Sequence, residues 1–229
     1  MDNNNPYAPP KASLTDAPRV VASEYPFRDL GSLTTTVSVL LGLGILGGVV
    51  KLISNVMLGS PAARMPLTAE RADAVIALAG AIWALLLLIT IVVFGRWIYL
   101  AHRNLPALGA ENLRTRPGWA VGTFFVPIAN LWKPFQAMND LVRASRDPRY
   151  WHLDDTPLLV GCWWALWLLV GAVGGNRVSV ILQAVLVEGL RSAAVIQLVG
   201  SALNVVLYIL ALLIVRRVWR DQARVVGLA

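Results

Sequence analysis

Four blocks of this chain stay apolar for about as long as a helix needs to cross a bilayer. They cover residues 33–58, 74–94, 157–174 and 193–215. A helix crosses the hydrocarbon layer in roughly 20 residues. None of the blocks holds an acidic residue, and only the first holds a basic one, Lys51. Hydrophobic residues make up 57% of the chain and charged residues 14%, where soluble domains carry about a quarter charged. The expected class is therefore an all-α integral membrane protein with four transmembrane helices.

The formal charge of +7 has to be read against those spans. With both termini in the cytoplasm, only Lys51, Arg64, Arg71, Arg177 and Arg191 of the 20 basic residues fall outside. That is the positive-inside bias of a multi-pass protein of a bacterial inner membrane. The basic excess then reports topology, with attraction to anionic lipid headgroups as a secondary effect, and no nucleic-acid partner is expected. Cys162 is the sole cysteine, which rules out an intrachain disulfide and suits a small packing residue. Met1 is followed by Asp2 and three asparagines, not by a basic run, so the first block is expected to act as an uncleaved anchor.

Residues 1–29 read as a disordered cytoplasmic tail, polar and then proline-rich. Residues 30–229 read as a single four-span membrane domain, with short outer stretches at 59–73 and 175–191. In the first span, Gly44 and Gly48 form a small-xxx-small pair that lets another helix approach closely. Packing within the chain is the expected use, and homodimerisation is the alternative. The second span ends in Arg96, Trp97, Tyr99, His102 and Arg103, residues suited to a headgroup zone.

Residues 118–146 fit neither a span nor a loop. Pro127 interrupts the apolar run from Trp119 to Ile128, Asn130 can cap a helix beginning just after it, and Pro134 falls in a first helical turn where proline is tolerated. From Leu131 the periodicity is helical. Leu131, Trp132, Phe135, Met138, Leu141 and Val142 share one face; Lys133, Gln136, Asn139, Asp140, Arg143 and Arg146 share the other. A crossing here would turn the downstream arginines outward, against the positive-inside bias. The expected form is a broken, re-entrant dip over 118–128 followed by an amphipathic helix on the cytoplasmic surface.

Trp163, Trp164 and Trp167 in the third span are expected to fill space between helices. In the fourth, Gln197, Ser201, Asn204 and Tyr208 are spaced to share one face. Such a stripe should face the bundle interior, either as interhelical hydrogen bonds or as the wall of a polar cavity.

Several of these runs resemble a bacterial membrane family catalogued as domain of unknown function 4328. They include Arg96-Trp97-Ile98-Tyr99, Pro117-Gly118-Trp119-Ala120-Val121-Gly122, Trp163-Trp164-Ala165-Leu166-Trp167 and, above all, Phe125-Val126-Pro127-Ile128-Ala129-Asn130-Leu131-Trp132-Lys133-Pro134-Phe135. The resemblance spans about residues 75–225. The family pattern looks more like Arg-Pro-Tyr where this chain has Lys133-Pro134-Phe135. The resemblance implies architecture and carries no activity.

No metal-ligand cluster, nucleophile elbow or phosphate-binding loop is present in the sequence, so no catalytic residue, metal or cofactor is expected. The leading expectation is a non-enzymatic membrane protein whose block 118–146 gates the bundle or binds a protein partner or lipid headgroups. Asn130, Lys133, Gln136 and Arg143 would be the contacts. The alternative is a small transporter or channel built on Gln197, Ser201, Asn204 and Tyr208. Assembly with a second copy of the chain is also open.

Overall fold

In the computed structural model the described residues are 26–58, 69–174 and 190–228. The expected tail, apart from residues 26–29, lies outside them, as do most of the two outer stretches. The regular elements among the described residues are all helices, joined by turns and irregular segments, with no strand among them. In chain order the helices are α1 (Gly31–Leu58), α2 (Ala69–Asn104), α3 (Pro117–Gly122), α4 (Lys133–Arg146), α5 (Leu158–Gly174) and α6 (Leu190–Val225).

Three of these helices, α1, α2 and α6, are long and apolar enough to cross a membrane. Their outward side chains agree with that. Val39, Leu46 and Val50 on α1, Leu78, Ile82, Leu85 and Val92 on α2, and Val199, Val206 and Leu213 on α6 are all exposed. A belt of this kind in water would be an aggregation surface. The fourth apolar helix, α5, has 17 residues and reaches about 25 Å at 1.5 Å per residue.

Side-chain contacts give the helix directions. Along α1 from Thr34 to Gly47 the neighbours on α2 run backward from Trp97 to Trp83. The neighbours on α6 run backward from Trp219 beside Gly31, through Tyr208 beside Gly44, to Val205 beside Gly48. Both α2 and α6 are therefore antiparallel to α1. The start of α1 and the ends of α2 and α6 meet at one end of the bundle. With 36 residues each, α2 and α6 are about 54 Å long, well beyond a roughly 30 Å hydrocarbon core. Their surplus length builds a platform at that end, completed by residues 105–157.

The platform is made of short pieces because its sequence keeps interrupting helices. A 3₁₀ turn over Pro106–Leu108 closes at Gly109, whose φ of 93° lies in the left-handed region that favours glycine. Pro117 starts α3, which ends after six residues. Turns carry the chain past Pro127 into a second 3₁₀ turn, Ala129–Leu131. The expected half-helix over 118–128 is thus one short helix followed by turns.

The helix after it forms where periodicity placed it, but its setting differs from expectation. Ten of the 14 residues of α4 are buried, including Asn139, Asp140 and Arg143 from the expected water-facing side. The segment between α4 and α5 covers that side: Asn139 reaches Thr156, and Arg143 reaches the His152 carbonyl. α4 is a central element of the platform, not a helix lying on a surface. Its Ala137, Met138, Leu141 and Val142 join Trp97, Ile98 and Ala101 of α2 and Ile214, Val215 and Val218 of α6 in one core.

Candidate functional site

The platform core is closed by two carboxamides in which every polar atom is hydrogen-bonded. Asn104, the last residue of α2, accepts from the Arg28 N–H at 3.0 Å and donates to the Arg28 carbonyl at 2.8 Å and to Gln222 Oε1 at 3.1 Å. Gln222 of α6 donates from Nε2 to the Ala101 carbonyl and to Ser145 Oγ, each at 3.0 Å. A carboxamide offers two N–H donors and an acceptor oxygen, and here both residues use all three. One clasp therefore joins the approach to α1, the end of α2, the end of α4 and the end of α6. Beside it, His102 is buried against the α4 backbone at Ala137, not placed at an interface. Trp97 is likewise fully buried, donating to Thr34 Oγ1 at 3.0 Å and stacking on Phe94.

A second polar cluster lies on the other side of α4. The guanidinium groups of Arg114 and Arg143 lie 5.9 and 5.8 Å from the Trp151 ring centroid. This is cation–π range. The Trp151 indole donates to the Glu111 carbonyl at 3.0 Å, and Arg143 Nη2 donates to the His152 carbonyl at 3.0 Å. Asp140 belongs to the same cluster and is 1% exposed, with neither carboxylate oxygen hydrogen-bonded among the described residues. Loss of solvent pushes its pKa up, against the opposing pull of Arg114 and Arg143.

That direction fixes how stability changes with pH. A carboxyl whose folded-state pKa is raised binds its proton more tightly when folded. The penalty is absent below the ordinary aspartate value, grows as pH climbs toward the raised value, and is complete above it. Asp140→Asn is therefore expected to stabilise the protein by about 1 kcal/mol at neutral pH. The gain should fade as pH drops toward the ordinary aspartate range. Paired thermal-unfolding curves in detergent across pH check this; equal melting at every pH would show that the carboxylate bears no such penalty.

The four expected contacts of block 118–146 are not presented together. Lys133 is exposed at the start of α4, and Gln136 is half-buried. Asn130 sits in the second 3₁₀ turn with its Oδ1 shielded and unbonded among the described residues. Arg143 is 7% exposed and engaged with His152 and Trp151. Apolar groups dominate the outer edge of the block instead: Trp119, Phe125, Val126, Ile128, Leu131 and Trp132 are all exposed, with Phe125 at 69% and Ile128 at 71%. Arg116 and Lys133 flank them.

Along the α6 stripe, Gln197 is exposed, Ser201 buried, and Asn204 and Tyr208 half-buried. Ser201 Oγ donates to the Gln197 carbonyl at 2.8 Å, and Asn204 Nδ2 to the Gly200 carbonyl at 3.3 Å. These are bonds to the stripe's own helix backbone. Tyr208 lies over Gly44 of α1. The tryptophans of α5 pack on one another, Trp164 stacked on Trp167 at 4.8 Å, with Trp163 and Trp164 buried.

Sequence reasoning missed Gln222 and gave no role to Asn104. Both sit among arginines, where an amide looks like part of a solvated helix end. The available signal was that Gln222 follows Ile214, Val215 and Val218 on the buried side of α6.

A family model described as a domain of unknown function (DUF4328) matches residues 61–220. No curated protein and no solved structure matches the chain.

Proposed function

The chain belongs to this family, and on that premise we propose that it is a non-enzymatic, four-span protein of the bacterial inner membrane with both termini in the cytoplasm. Its platform rests on the cytoplasmic headgroup layer through the apolar edge at residues 119–132. The observation that carries this reading is that edge itself. Six large apolar side chains stand exposed on a well-packed platform, with Arg116 and Lys133 beside them. Apolar groups flanked by cations are what an element lying in the acyl–headgroup boundary needs, since burial of apolar area and attraction to anionic lipid act together.

The bundle supports the same placement. The ends of α2 and α6 that build the platform carry Arg96, Arg103, Arg216, Arg217, Arg220 and Arg224, and arginines of this kind mark the cytoplasmic side. In this reading the clasp and the α4 core hold the edge at a set height over the membrane. The protein acts as a fixed membrane-surface scaffold to which lipid headgroups or a protein partner bind.

A nitroxide label tests the placement. With Cys162→Ser as background, a label at Ile128→Cys in vesicles is expected to collide readily with oxygen, which partitions into the acyl region. It should be shielded from an aqueous nickel chelate. Aqueous-like accessibility at residue 128 would place the edge away from the bilayer and end this reading.

A further inference from the structure

Separate from the apolar edge, a groove of about 460 Å³ runs between the first turns of α1 and the last turns of α6. Thr34, Ser38 and Val39 line it from α1, and Leu213, Arg216 and Arg220 from α6. Because the helices are antiparallel, these residues fall into tiers. Arg216 and Arg220 sit toward the platform, while Val39 and Leu213 sit toward the middle of the bundle. At 1.5 Å per residue the groove changes from cationic to apolar over about 10 Å of α6. Val39 and Leu213 are exposed within the belt of outward apolar side chains.

The charges in this groove differ from their neighbours. Asp221 pairs with Arg217 and with Arg224, at 3.8 and 3.9 Å. Neither Arg216 nor Arg220 makes an ion pair among the described residues; Arg220 Nε donates only to the Arg216 carbonyl, at 3.3 Å. Two buried donors adjoin the groove. Thr34 Oγ1 accepts from Trp97, which leaves the threonine's own proton to give. The Trp219 indole N–H has no partner among the described residues and lies beside Gly31 at the same mouth. Asp29 also stands at this mouth, but its carboxylate accepts from the Gly31 N–H at 2.9 Å as the cap of α1.

We infer that this groove is a binding site for an anionic phospholipid. The phosphate lies between Arg216 and Arg220, and an acyl chain passes over Val39 and Leu213. Guanidinium groups pair with phosphate oxygens through charge-assisted, often bidentate hydrogen bonds. A free phosphate ester would satisfy the cationic tier and leave the apolar tier unused; a lipid uses both. The inference rests on the membrane reading above only for orientation. Because its test runs in detergent, a platform found away from the bilayer would leave the result unaffected.

The test uses the full chain purified in a non-ionic detergent. Retention of phosphatidylglycerol, phosphatidylcholine with the same acyl chains, and glycerol 3-phosphate is measured by native mass spectrometry. Phosphatidylglycerol is expected to bind about tenfold or more above phosphatidylcholine, whose choline cation opposes the two guanidinium groups, and above glycerol 3-phosphate, which has no acyl chain for the apolar tier. Arg216→Gln with Arg220→Gln should erase that preference. Arg217→Gln with Arg224→Gln, an equal loss of charge, should keep it. Leu213→Trp, which fills the apolar tier without changing charge, should also weaken retention. Equal losses in the two arginine pairs would reduce the effect to diffuse charge attraction and overturn the site. Glycerol 3-phosphate binding as well as the lipid would overturn the lipid assignment.

Discussion

Replacing Gln222 with alanine is expected to destabilise the protein by about 3 kcal/mol and to loosen α4 from α6. Three hydrogen bonds disappear at once. Asn104 Nδ2 keeps only its bond to Arg28, Ser145 Oγ loses its donor, and a void opens among side chains 1% exposed or less. The platform loses the hydrogen bonds of Gln222 to α2 and α4 and keeps only the apolar core between these helices and α6. The companion change Gln222→Glu keeps the shape but removes both donors and adds a buried charge, so it should do no better. The readouts are the unfolding midpoint in detergent and the rate of proteolysis within residues 105–116. A Gln222→Ala protein with wild-type melting and wild-type protease resistance would show that the clasp contributes nothing to platform integrity.

The second large effect is expected at Gly48. A Cβ there would come within 2.7 Å of Val205 Cγ2 on α6, and one at Gly44 within 3.0 Å of the Tyr208 ring. Valine in a helix has essentially one χ1 rotamer, so Val205 has little freedom to move aside. Gly48→Leu is expected to separate α1 from α6 and abolish a monodisperse folded protein on size-exclusion chromatography. Gly48→Ala should cost about 1–3 kcal/mol, as overpacked positions do. Val205→Ala in the same chain should recover most of it. Gly42 is the control, because a Cβ there meets nothing within 4 Å. Gly42→Ala should be neutral or slightly stabilising through helix propensity. Failure of Val205→Ala to rescue Gly48→Ala would mean that the close approach is not what the glycine is there for.

These two positions mark how far the sequence could be read. Long apolar blocks reveal helices because a run of about 20 apolar residues suits a helix able to cross a membrane, and α1, α2 and α6 appear where the blocks are. The Gly44–Gly48 spacing identifies a surface made for close approach but contains no information about which helix approaches. That choice is made by Tyr208 and Val205, about 160 residues away. Periodicity places α4 correctly and separates its two faces. It assigns the polar face to water because nothing in α4 itself records the cover supplied by Trp151, His152 and Thr156. Burial of Arg143 and Asp140 is a property of that cover. The stripe on α6 shows the same limit: the shared face is legible from spacing, while the bonds of Ser201 and Asn204 to their own backbone depend on rotamers that spacing does not encode. Asn104 and Gln222 are hardest to see, since a carboxamide beside arginines has the composition of an exposed helix end.

The clasp also sets an order of events during synthesis. Gln222 follows Asn104 by 118 residues and Ser145 by 77. While the chain is being made, α2 and α4 emerge with one amide proton of Asn104 and the Ser145 hydroxyl lacking their partner, and they wait for the last described helix. A nascent platform is therefore an open notch of buried-type polar groups that only the arrival of α6 can close. Any delay in the arrival of α6 prolongs that exposed state.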